Sequence, residues 1–126
     1  IAFEYTAYYN DESNWDNGIL YIGNHLIKAK RDISGSVEIK QGTKIIADFA
    51  FYDSKSLTSI TIPDSVKRIG QRAFLNCNDL KNITISNDVI YIESDAFDCP
   101  ARLEIKKDSF KAIIHDFWLR IVKKMQ

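Results

Sequence analysis

The residues of this chain best equipped for chemistry are two cysteines, two histidines and a scatter of carboxylates, so their spacing comes first. Cys77 and Cys99 stand 22 residues apart (99 − 77 = 22), and no histidine or basic residue lies at a matching place one repeat away to activate a thiolate. His25 and His115 lack a Cys or His partner at metal-ligand spacing. His25 reads as an exposed strand residue, His115 as a surface or helix-packing one. Asp11, Glu12 and Asp16 fall in one segment and Asp48 and Asp53 in another. Neither group has the glycine placement of a calcium loop or the spacing of paired glycosidase carboxylates. No catalytic residue, cofactor or metal is therefore expected. Asn82-Ile83-Thr84 fits the N-glycosylation pattern, but Asn82 falls inside an expected strand, which makes the match a coincidence. What remains is the chemistry of contact. Tyr5, Tyr8, Tyr9 and Trp15 lie in a polar segment. Exposed there, the rings would favour protein or carbohydrate contact; folded over the end of the domain, they would serve packing.

The elements that must position these residues follow from a repeat. Ala50-Phe51, Ala73-Phe74 and Ala96-Phe97 are spaced 23 residues apart (73 − 50 = 96 − 73 = 23). Ile46, Ile69 and Ile92 keep the same step, as do Leu57, Leu80 and Leu103; Ile60-Thr61-Ile62 returns as Ile83-Thr84-Ile85, and Val66 as Val89. The positions between them vary and are mostly polar, as at Asp48/Gln71/Ser94. Apolar positions that persist through polar variation are what stacked turns require, because each turn buries its fixed residues against the next. Within a turn, alternation directs Ile60 and Ile62 to one face and Ser59 and Thr61 to the other. Pro63-Asp64-Ser65 ends that strand. Val66 and Ile69 are inward positions of a second short extended piece, and Ala73-Phe74 returns across the core. The outward residues Ser59, Thr61, Asn82 and Thr84 then form one shallow ladder, a candidate interaction surface together with Tyr8, Tyr9 and Trp15. Cys77 and Cys99 should occupy adjacent turns, either as a disulfide in an oxidising location or as buried thiols filling space.

The repeat extends back to Val37-Glu38-Ile39, and Ala2-Phe3 lies two periods plus two residues before Ala50-Phe51. The apolar runs on either side of Gly23-Asn24 predict a β-hairpin inserted over residues 18–27, with residues 4–17 as a loop leading into it. From Ser109, apolar residues at helical spacing (Phe110, Ile113, Ile114, Phe117, Trp118, Ile121, Val122, Met125) predict an amphipathic helix. It would close the open end of the coil, or else meet a membrane surface or partner. The 17 basic and 17 acidic residues cancel, which argues against nucleic acid. No apolar run approaches a bilayer span of about 20 residues. The first residue is Ile1, and the expectation is a fragment of a longer protein.

From Val37 to Ile105 the chain resembles the BspA-like leucine-rich repeat family, through Ile-Gly-x-x-Ala-Phe at 69–74, Cys77, Leu80, Ile83-Thr84-Ile85 and Ile62-Pro63-Asp64-Ser65-Val66. The segment from Asn17 to Ile27 is similar to one that interrupts such arrays. Glu93 and Ala47 replace the repeat's glycine, and Cys99-Pro100 comes one residue early. The resemblance implies a β-rich solenoid, a right-handed coil of turns of about 23 residues, with the inserted hairpin and the C-terminal capping helix. It implies one domain over 1–126: an irregular repeat at 1–36, regular repeats at 37–105 and the cap at 106–126. It also implies a secreted or cell-surface module for adhesion or protein binding; with the composition and motifs above, the expectation is a non-catalytic monomer without membrane insertion. Its ligand would be a protein or glycan on a host or neighbouring cell. The alternative is a structural spacer or capping segment that presents another domain.

Overall fold

Strand Ser56–Ile62 shows why the repeat folds as it does. Leu57, Ile60 and Ile62 are fully buried, whereas Thr58 is exposed and Ser59 and Thr61 are half-buried. Alternation sets Ile60 and Ile62 against the core, and a bulge at Thr58, where the register with the neighbouring strand shifts, brings Leu57 to the same face. The computed structural model describes residues 6–85, 89 and 91–99, and the backbone of Arg102–Ile105. In chain order the strands are β1 (Trp15–Asp16), β2 (Ile19–Ile22), β3 (His25–Ala29), β4 (Ser34–Glu38), β5 (Ile45–Ile46), β6 (Ser56–Ile62), β7 (Arg68–Ile69), β8 (Asn82–Ile85), β9 (Tyr91–Ile92) and β10 (Arg102–Ile105).

They form two open sheets. One is parallel throughout, in the order β10-β8-β6-β4. Val37 lies opposite Ile60, and Ile60 opposite Ile83, each one repeat on. The next step is shorter. Leu103 lies opposite Ile83, three residues out of the register with Leu80 that the 23-residue spacing predicts. Ladder pairing, and not the sequence repeat, decides this register: the connection after β8 is shorter, so the strand arrives early. The other sheet runs β1-β2-β3-β5-β7-β9. Its repeat strands are only two residues long, with Ile46, Ile69 and Ile92 in one parallel column, as their spacing requires.

The hairpin is present, with Ile22 opposite His25 across Gly23-Asn24 and Gly23 in the left-handed region (φ 58°). Instead of projecting from the stack, it continues the sheet: Leu26 of β3 pairs in parallel with Ile46 of β5. Leu20 and Leu26 are fully buried, so the hairpin takes the place of the preceding rung. The segment leading into it is more ordered than a loop. Thr6 caps a single helical turn, Ala7–Asn10, and Asp11 caps a 3-10 turn, Glu12–Asn14. β1 then lies antiparallel to β2 at the sheet's edge.

Between the sheets the Ala-Phe corners stack. The rings of Phe51 and Phe74 lie 5.0 Å apart and 8° from parallel, those of Phe74 and Phe97 5.3 Å and 14°. The small alanines let the turns bond directly, Phe51 N–H to Ala73 O at 2.7 Å and Phe74 N–H to Ala96 O at 2.9 Å. Left-handed residues recur at the same step, Phe49 with Arg72 and Asp53 with Asn76. At Gly70 the approach is closest: an added Cβ would lie 2.5 Å from Asp48 N and 2.8 Å from Ala47 C. The predicted helix at 106–126, with His115, and Tyr5 all lie outside the described residues. Among the described residues no helix is long and apolar enough to cross a membrane.

Candidate functional site

The outward ladder assembles as its spacing requires. Ser59 of β6 lies opposite Asn82 of β8, and Thr61 opposite Thr84. β4 adds Ser36 beside Ser59 and Glu38 beside Thr61. The rows are one strand spacing apart, about 4.8 Å, and offer hydroxyls, one amide and a terminal carboxylate. Asn82 is exposed and Ser59, Thr61 and Thr84 are half-buried, because each side chain in such a column covers its neighbours. The ladder can make short polar contacts on a surface whose inward side is anchored by Ile60, Ile62, Ile83 and Ile85.

The aromatic segment lies elsewhere, at the edge of the hairpin sheet. Trp15 and Tyr9 pack edge to face with centroids 5.2 Å apart, and the Trp15 indole N–H donates to Tyr9 O at 2.9 Å. Lys30 Nζ sits 5.2 Å above the Trp15 ring and also pairs with Glu12. Both rings are half-buried. Tyr8 is more exposed, its hydroxyl donating to Tyr21 O at 3.2 Å. Tyr9 and Trp15 thus pack on each other, while Tyr8 is an open ring held at Tyr21, all at the edge of the sheet that does not carry the ladder.

Three carboxylates accept hydrogen bonds from the chain's own backbone. Asp11 accepts the hydroxyl and the N–H of Ser13, which hold its carboxyl below the ordinary carboxylate range. Asp48 accepts from Gln71 N–H at 2.8 Å, and Asp95 from Arg72 N–H at 3.2 Å. His25 is exposed at the start of β3. Among the described residues no three His, Cys, Asp or Glu side chains gather as metal ligands. Cys77 is a buried thiol hydrogen-bonded to Phe51 O at 3.0 Å. Burial, with Cys99 nearby, pushes it up to about 12. The pair is present as thiols, Cys99 half-buried against the core. Such a thiol fills space and is a poor nucleophile.

One surface cluster was not singled out in the sequence. Arg68 lies 5.3 Å over the ring of Tyr91 and 3.5 Å from Glu93, and Tyr91 is 42 % exposed. Arg68 and Tyr91 are one repeat apart (91 − 68 = 23) and adjacent in the ladder. The same step that locates the core would have found them, had outward positions of the two-residue strands been compared.

Parallel ladders join equivalent residues of successive repeats, with apolar columns inside and polar residues outside, an arrangement that suits stacked leucine-rich repeats. The particular family follows from a family profile, BspA type Leucine rich repeat region, which matches residues 2–115 in 6 copies; the chain belongs to this family. No curated protein and no solved structure matches it. Repeats of this family generally occur in secreted or surface proteins and serve binding rather than catalysis.

Proposed function

We propose that the chain is a non-catalytic, extracellular or cell-surface module that binds a protein or glycan on a host or neighbouring cell. One observation carries the proposal: the register sets Ser59 beside Asn82 and Thr61 beside Thr84 as an outward polar row over the buried apolar column of Ile60, Ile62, Ile83 and Ile85. Membership of a family of surface binding repeats supports it. Fold likeness by itself would not, since one fold carries many functions. In this reading residues 1–126 act as one monomeric, right-handed coil, closed by a helix at 106–126, and the ladder together with Tyr8, Tyr9 and Trp15 makes the contact.

A second reading rests on the aromatic cluster. The rings of Tyr9 and Trp15 pack on each other and under Lys30, as residues sealing an end of the stack would. That favours a spacer or capping segment presenting another domain. A screen of surface proteins and glycans against the full parent protein separates the two. Binding that is lost in Thr61→Lys and Asn82→Lys, with unchanged unfolding midpoints, supports the ladder. A screen with no binding refutes the adhesion reading and leaves the spacer.

A further inference from the structure

Sheet β10-β8-β6-β4 has an edge that the hairpin does not cover. Among the described residues no strand pairs with the outer side of β4. Over that edge lies a cleft of about 520 Å³, between β2 on one wall and β4 on the other. Its lining divides by chemistry: Ile19, Ile33 and Val37 are apolar, Ser34 and Ser36 carry hydroxyls, and Asp16, Glu38 and Lys40 are charged. The hydrogen bonds show which way the main chain faces. Ile39 donates its N–H to Thr61 O at 3.1 Å, into the sheet. The next residue, Lys40, donates its N–H to Tyr21 Oη at 3.1 Å, on the cleft side. Successive peptide groups of a strand alternate in direction, so the N–H and C=O of Ser36 and Glu38 also face the cleft. The inward column is incomplete at the same place. Ile60 and Ile83 are fully buried, while Val37, at the same register, is only half-buried.

We propose that this cleft binds an extended peptide segment of a partner protein, which adds as a further strand on β4. Main-chain groups of Ser36 and Glu38 would pair with the peptide. Its alternate β-branched apolar residues would complete the column at the half-buried Val37, the way strand addition to an open edge combines backbone bonds with side-chain pockets. The charges select the partner's chemistry. Two carboxylates, Asp16 and Glu38, face the cleft, while the one ammonium, on Lys40, is held 5.7 Å from the Tyr21 ring. A basic residue flanking the apolar ones therefore fits best. The site borders the outward ladder, with which it shares Ser36 and Glu38, but it uses their main-chain groups and not the ladder face of Ser59, Thr61, Asn82 and Thr84.

The test is amide hydrogen exchange by NMR on the folded chain. The probe is a blocked seven-residue peptide alternating valine and threonine with lysine at each end. Without peptide, Ser36 and Glu38 should exchange fast and Val37 and Ile39 slowly. Saturating peptide should slow Ser36 and Glu38 by at least about tenfold. The same peptide N-methylated at alternate residues should fail to do so; with Ser36→Pro, which removes a cleft-facing donor and fixes φ there, the plain peptide should protect the remaining amide, Glu38, less, while Val37 and Ile39 stay slow. Thr84→Lys on the ladder should leave the peptide's affinity unchanged. Four results would each overturn the proposal: Ser36 and Glu38 already protected without peptide, equal protection by the N-methylated peptide, no saturable protection, or protection that rises with protein concentration alongside a doubled sedimentation mass, which would make a second copy the occupant.

Discussion

Phe74 is the residue whose removal tests the stack most directly. It is fully buried and has a ring on each side, Phe51 at 5.0 Å and Phe97 at 5.3 Å. Replacing a buried Phe by Ala costs roughly 3–5 kcal/mol, through lost transfer energy and the cavity left behind. An aromatic pair contributes about 0.5–1.5 kcal/mol of such a loss beyond its area. Phe51 is equally buried but, among the described residues, has one ring partner in this column. Phe74→Ala should therefore lie in the upper half of that range and exceed Phe51→Ala by about one pair, about 1 kcal/mol. Urea unfolding followed by circular dichroism measures both, with the difference read from midpoints at constant slope. A double-mutant cycle isolates the contact: Phe51→Leu with Phe74→Leu should couple by about 0.5–1.5 kcal/mol, and Phe51→Leu with Phe97→Leu, separated by the middle ring, by less than about 0.5 kcal/mol. A Phe74→Ala cost below about 2 kcal/mol, or equal to that of Phe51→Ala, would refute the claim that the aromatic column couples the turns.

Other substitutions follow from single contacts. Gly70→Ala should destabilise the chain by about 1–3 kcal/mol, because its Cβ would meet the backbone of residues 47–48; an unchanged urea midpoint would show that the turns can part without cost. The Cys77 thiol, raised from its ordinary value of 9.0 to about 12, is held in its neutral form more strongly by the folded chain than by the unfolded one. Its contribution is level below pH 9 and is lost as the pH rises from about 9 to 12, by at most about 1.4 kcal/mol per pH unit. Stability should fall less steeply over that range in Cys77→Ala than in the parent, and parallel declines would contradict the assignment. Ser54 Oγ is buried without a hydrogen-bond partner among the described residues. Ser54→Ala should thus be neutral or stabilising, within about 1 kcal/mol, and a loss beyond 2 kcal/mol in thermal unfolding would reveal a missing partner. Glu12→Gln breaks an exposed ion pair with Lys30 and should cost no more than about 1 kcal/mol, diminishing with added salt.

The sequence by itself determined which residues stack. Ile46, Ile69 and Ile92, Ile60 and Ile83, and the three Ala-Phe pairs recur at one step because each must meet its own counterpart in the next turn, and such a demand leaves a period that can be read without coordinates. The hairpin was equally legible, since Gly23-Asn24 between apolar runs is a local signal. The outward ladder followed from alternation within two strands and the same step between them. Tertiary structure decided the rest. Leu103 pairs opposite Ile83 and not Leu80 because hydrogen-bonded register, after a shortened connection, overrides the spacing of similar residues. The hairpin joins the sheet as a rung because β3 finds β5 across space, which no local pattern specifies. Tyr9 and Trp15 pack together through a contact that neither the repeat nor strand alternation marks. The open edge of β4 is the furthest case: periodicity tells which face of a strand is buried, but only the assembled sheet shows on which side a strand has no neighbour.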